Sequence, residues 1–114
     1  MARLEAGPIL SLGYRGVLGL VAAEMGLAPL PAVLADPRAN RPNDPLWRAQ
    51  ANARGRALYL AVTEANLPMT LAGELAGITK QGVSKVLREI EDSRDDAATD
   101  ALIERVAAAV RLGR

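Results

Sequence analysis

The chain has 114 residues, with 14 Lys or Arg against 13 Asp or Glu, 50% hydrophobic and 24% charged residues, a balance that suits one folded domain rather than a disordered chain. It contains no Cys and no His, which excludes disulfides, thiolate or imidazole chemistry and the commonest zinc sites. One Trp and two Tyr are too few for a platform that stacks single-stranded bases, and a composition led by Leu and Ala predicts an all-α fold of about five to six helices.

Residues 1–8, ending at Gly7-Pro8, are expected to be loosely held, ahead of a single helical domain over 9–112. Leu10, Tyr14, Val17, Leu18, Val21 and Met25 recur at three- and four-residue steps and predict a helical face, closed by Gly26. Gly13, Gly16 and Gly19 weaken that helix, so a packing reason is expected for them, such as close approach of another helix. They form no phosphate loop, because the Lys-Ser/Thr and the preceding strand are missing. The apolar run 17–23 is far short of a membrane span, and no basic-then-apolar leader opens the chain. The expected setting is the cytoplasm, in association with the nucleoid, with no membrane partner.

A short helix over 29–35 is expected to turn Leu30, Val33 and Leu34 inward. The Asp- and Pro-rich stretch 36–45 is a loop containing Arg38 and Arg41. Asp44-Pro45 starts the next helix, over 45–66, with Gly55 as a possible break and Leu67-Pro68 as its end. Trp47 reads as a packing anchor. Thr70 is expected to cap a short helix, Thr79 to cap another through 92, and Ser93 with Asp96 to form a loose capping box. The last helix, ending near 112, should bury Leu102, Val106, Ala109 and Val110. Charge is uneven along the chain: residues 1–46 are net zero, 47–88 carry +4 and 89–114 carry −3. A basic middle beside an acidic tail suits one face for a polyanion and another turned away from it.

The stretch Leu71-Ala-Gly-Glu-Leu-Ala-Gly-Ile-Thr-Lys-Gln-Gly-Val-Ser-Lys-Val-Leu-Arg-Glu-Ile90, within 70–92, reads as a helix-turn-helix. Ala72 and Gly73 are small where the helices cross, Gly77 permits the turn, and Ile78, Val83 and Val86 lock the pair. The outward positions hold Thr79, Lys80, Gln81, Ser84 and Lys85; all can donate a hydrogen bond and none is acidic. The N-terminal part of such a helix enters the major groove of duplex DNA. Gln81 is the candidate base reader, while Lys85 and Arg54 are expected on phosphate.

Over most of its length the chain resembles the C-terminal DNA-binding domain, domain IV, of the bacterial replication initiator DnaA. The resemblance rests on Val21-Ala-Ala-Glu-Met-Gly-Leu, Ala32-Val-Leu, Ala53-Arg-Gly-Arg-Ala-Leu-Tyr-Leu-Ala61 and the helix-turn-helix ending Arg88-Glu-Ile90, in the family's order. It implies a DnaA domain IV or Trp-repressor-like fold, a basic loop placing an Arg in the minor groove, and a role for Arg54 and Arg56 at the family's Arg-Pro-Arg positions. The family reads its box with Arg-Asp-His-Thr-Thr, where this chain has Ile78-Thr-Lys-Gln-Gly82, so the family's own box is not the expected target. Gly55 replaces the Pro, and an early helix start at Pro45 would put Arg54 on a helix and leave Arg38 or Arg41 as the minor-groove arm. The 114 residues hold no ATPase domain, and a stand-alone module is expected.

The acidic pairs Glu91-Asp92 and Asp95-Asp96 read as solvated surface rather than metal ligands, and Ser84 has no partner that would make it a nucleophile. No enzyme activity, metal, nucleotide cofactor or small-molecule substrate is expected. Three functions stay open: a small transcriptional regulator or co-activator on duplex DNA, a factor controlling replication initiation, and a protein-interaction module. The first two call for a second module, as a homodimer or with a heteromeric co-regulator. The Gly-spaced first helix either provides that interface or packs on its own core.

Overall fold

The computed structural model describes residues 2–36, 39 and 41–112, with side chains from residue 13 onward. Six helices make up the fold: α1 (Ala2–Glu24), α2 (Pro29–Leu34), α3 (Pro45–Thr63), α4 (Met69–Ala76), α5 (Lys80–Ser93) and α6 (Ala97–Leu112). No strand occurs among the described residues. The helix expected to begin near Leu10 instead starts at Ala2. Ala2 to Ala6 are mostly good helix formers. No helix among the described residues is long and apolar enough to cross a membrane.

The helix ends follow local chemistry. At Gly26 (φ 78°) α1 closes in a Schellman turn, with Leu27 N–H donating to Ala22 O at 2.8 Å and Gly26 N–H to Ala23 O at 3.0 Å. Asp44 caps α3 by accepting from Leu46 N–H at 3.0 Å, and Pro45 takes the first helical position. Trp47 Nε1–H donates to Ala39 O at 2.7 Å and ties the preceding loop to α3. Gly55 does not break α3, which stops at Thr63, before the expected 66, as Asn66 turns the chain at φ 58°.

Thr70 is not the cap expected of it. Pro68, fixed near φ −60°, holds the N-cap position of α4, and its carbonyl accepts from Ala72 N–H at 2.9 Å, leaving Thr70 exposed inside the helix. The expected capping box at Ser93 is absent as well. Ser93 ends α5 and donates back to Ile90 O at 2.6 Å, while Asp96 starts α6 by accepting from Thr99 N–H at 2.9 Å and Thr99 Oγ1 at 2.8 Å.

One apolar core joins the helices. Tyr14, Val17, Leu18 and Val21 of α1 are buried, and α1 packs most extensively on α3. The buried positions of α3 include Ala53, Ala57 and Ala61, whose short side chains suit the central helix of the fold, which also meets α4, α5 and α6. The run 17–23 thus belongs mainly to the core; only Leu20 and Ala23 in it are exposed. Gly13 and Gly16 face open space, and only Gly19 meets a neighbour, with Val33 Cγ2 at 3.8 Å from a Cβ placed there. Where α2 crosses over Gly19, Val33 and Pro29 make the contact, and Ala32 is buried. Leu30 and Leu34, expected inside, are 66% and 71% exposed.

The buried stripe of α6 is Leu102, Ile103, Val106 and Ala107 with Val110 packed against it; Ala109 lies off that stripe and is exposed. Arg94 fastens the acidic end of the fold. Its guanidinium pairs with Glu104, donates to Asp100 at 2.6 Å and to the Tyr59 hydroxyl at 3.2 Å, and Tyr59 in turn donates to Glu91. α3, α5 and α6 thereby share one hydrogen-bonded cluster.

Candidate nucleic-acid interface

Three glycines shape the α4–turn–α5 unit. A Cβ on buried Gly73 would lie 2.7 Å from Ile78 O and 3.4 Å from Val83 Cγ2, so only glycine lets the turn close onto α4. Gly77 takes φ 73°, and Ile78 N–H donates to Gly73 O at 2.9 Å. Gly82, whose packing role the sequence reading did not assign, sits where a Cβ would meet Ile78 Cβ at 3.3 Å and Thr79 Oγ1 at 3.4 Å. Thr79 caps α5 as expected, its hydroxyl accepting from Gly82 N–H at 3.0 Å. Val83 is fully buried, Val86 is half-buried and Ile78, expected to help lock the pair, is 38% exposed because the tight turn holds it at the rim.

These contacts leave Thr79, Lys80, Gln81 and Lys85 exposed and Ser84 half-buried. Lys85 lies 3.9 Å from Glu89 in an exposed pair, an interaction of little energetic weight. Arg88, not singled out in the sequence, is also exposed and lines a shallow depression with Lys85, Glu89 and Asp92; its i, i+3 spacing from Lys85 was the available signal. The charge order along α5 opposes the helix dipole. Helices favour acids at the start and bases at the end, yet α5 has no acid in its first turn and no base in its last. Lys80 adds to the positive N-terminal end, and Glu89, Glu91 and Asp92 add to the negative one.

The other candidate residues are dispersed. Arg54 lies on α3 rather than in a loop, is half-buried, and lines clefts shared with Leu75 of α4 on one side and with Ala76, Ile78 and Val86 on the other. Arg56, two positions on, acts instead on Asp96 at the start of α6, near the far end of α5 from Thr79. Arg41 is exposed in the loop before α3 and lines a cavity with Trp47, while Arg38 lies outside the described residues. No group of residues suited to hold a metal ion occurs among the described residues. No family model, curated protein or solved structure matches the chain.

Proposed function

We propose that the chain is a sequence-specific duplex-DNA-binding protein, a small transcriptional regulator that presents the start of α5 to the major groove. The observation that carries this reading is the charge order of α5. An exposed Lys80 at the dipole-positive helix start, with no acid in the first turn, works against helix stability and favours a polyanion, and exposed Lys85 follows one turn on. Thr79, Gln81 and Ser84 supply neutral hydrogen-bonding groups beside the two cations, as base-edge recognition requires.

Gln81 is the base reader in this proposal, and Lys80 and Lys85 meet phosphate. A preferred duplex is first selected from a random pool with the whole chain. Affinity is then measured on that duplex and a scrambled one at several salt concentrations. Gln81→Ala should lose about 1–3 kcal/mol of discrimination between them. Lys85→Ala should weaken both alike and lower the log–log salt slope by roughly 1. If neither change moves affinity, preference or slope, α5 does not face DNA.

One such unit reaches few phosphates, so the proposal includes a second copy or a co-regulator. Leu20, Leu30 and Leu34, exposed on α1 and α2, are the side chains available for it, and they equally favour the alternative of a protein-interaction module. Sedimentation of the chain with Leu30 and Leu34 changed to Lys should show reduced self-association. An unchanged mass distribution places any interface elsewhere.

A further inference from the structure

A series of contacts fixes how α3 lies along α5. Tyr59 is bonded to Glu91 and to Arg94, 32 and 35 positions further on. A Cβ on Gly55 would touch Val86 and Ile90, and Trp47 and Ala51 share a cleft with Ile78 and Val86. Partner numbers rise together, so the two helices run side by side in the same direction. The offset of Tyr59 from its partners sets Arg48 level with residues 80–83 and Asn52 level with residues 84–87, beside the first two turns of α5. Arg48 and Asn52 are both exposed. At about 3.6 residues per turn, they fall on the side of α3 away from buried Ala53, Ala57 and Leu60, as Gln81 and Lys85 fall on the side of α5 away from buried Val83. The two helices thus turn one outer surface to solvent, and Arg48 and Asn52 stand on it next to the start of α5.

Electrostatics sets this surface apart. Arg94 pairs with Asp100 and Glu104, Arg105 with Glu24 and Arg111 with Glu64, so these arginines are neutralised within the fold. Arg48 makes no hydrogen bond or ion pair through its side chain among the described residues. Asp44, one turn before it, accepts from Leu46 N–H instead. Glu89 and Asp92 belong to the later half of α5, and Glu89 already faces Lys85. Packed helix axes lie about 8–10 Å apart, and the major groove that admits a helix is about 12 Å wide. A duplex that takes the start of α5 into its groove therefore brings a backbone against the exposed edge of α3. We propose that Arg48 and Asn52 form a second contact with DNA, on the phosphates bordering the groove entered by α5; this rests on the DNA-binding reading of α5. The Arg48 guanidinium donates a charge-assisted hydrogen bond to a phosphate oxygen, and the Asn52 amide donates a neutral one. Both fix position and neither reads sequence.

Affinity of the whole chain and its variants for the selected and scrambled duplexes, at several salt concentrations, tests this. Arg48→Gln should weaken both duplexes alike and lower the log–log salt slope by roughly 1, and Arg48→Lys should keep the parent's slope. Asn52→Ala should weaken both by about two- to tenfold without changing the slope, because no charge is lost. The preference between the duplexes should stay at the parent's value in all three. Arg48 is exposed and unpaired, so Arg48→Gln should melt with the parent, which separates a lost contact from a lost fold. If Lys85→Ala lowers the slope and Arg48→Gln does not, the assignment of α3 falls while the reading of α5 stands. If neither lowers it, both fall. A changed preference in Arg48→Gln would overturn the assignment to phosphate.

Discussion

Gly73 and Gly55 differ in what a methyl group would meet. At Gly73 the added carbon would lie 2.7 Å from a backbone carbonyl, which cannot retreat without opening the turn. At Gly55 the nearest atoms are Val86 Cγ1 at 3.6 Å and Ile90 Cδ1 at 3.7 Å, ordinary contact distances. Gly73→Ala should therefore cost about 1–3 kcal/mol despite a better helix propensity. Gly55→Ala, inside α3, should gain about 0.5–1 kcal/mol. Urea denaturation should move the two midpoints in opposite directions, and equal shifts would contradict the geometry around Gly73. The need for a small residue at 73 was legible from its place four positions before Gly77. That Arg54 of α3 and Tyr14 of α1 line one cavity was not, because no local period links the two helices across the intervening loop.

At the scale of helices, caps separate what was readable from what was not. Asp44-Pro45 and Thr79 combine a side-chain acceptor with a following helix start, and both act as read. Thr70 and Ser93 carry the same chemistry, but neighbours displace them: Pro68 fixes the start of α4 ahead of Thr70, and Asp96 takes the bond to Thr99. Thr79→Ala should destabilise the fold by about 1 kcal/mol, whereas Thr70→Ala should leave the denaturation midpoint nearly unchanged. Equal losses would show that the two threonines share the capping role.

The hydrogen bonds from Thr99, backbone first and hydroxyl second, hold the Asp96 carboxyl below its ordinary 3.8, and Arg56 adds to this. A carboxyl lowered in the folded state contributes stability that is complete above 3.8 and disappears as pH falls through the folded value. Asp96→Asn should therefore lower stability near neutrality and flatten the acid limb of the stability curve, while changing little in strong acid. An acid limb as steep as the parent's would assign the loss to other carboxylates.

Across the whole molecule, helical periodicity carried the architecture because every core segment is amphipathic and apolar. The limits of that reading appear in α2 and α6. Periodicity marks a face but not which face meets a neighbour; α2 lays Pro29 and Val33 on Gly19, and Leu30 and Leu34 turn outward. The candidate site was legible where it is local, on α5, and illegible where it depends on how α3 points Arg54 and Arg56 to different ends of α5.

The indole of Trp47 gives the chain an optical gauge. It is the only Trp, it is half-buried, and its N–H is bound to the carbonyl of Ala39 in the loop between α2 and α3. Indole emission moves to longer wavelength as the ring meets water. The ultraviolet fluorescence of the unlabelled protein therefore reports one event, the lifting of that loop from α3, against a background of only two tyrosines. Any effector that moves the loop carrying Arg41 can be followed by colour alone, with no dye attached and no residue changed.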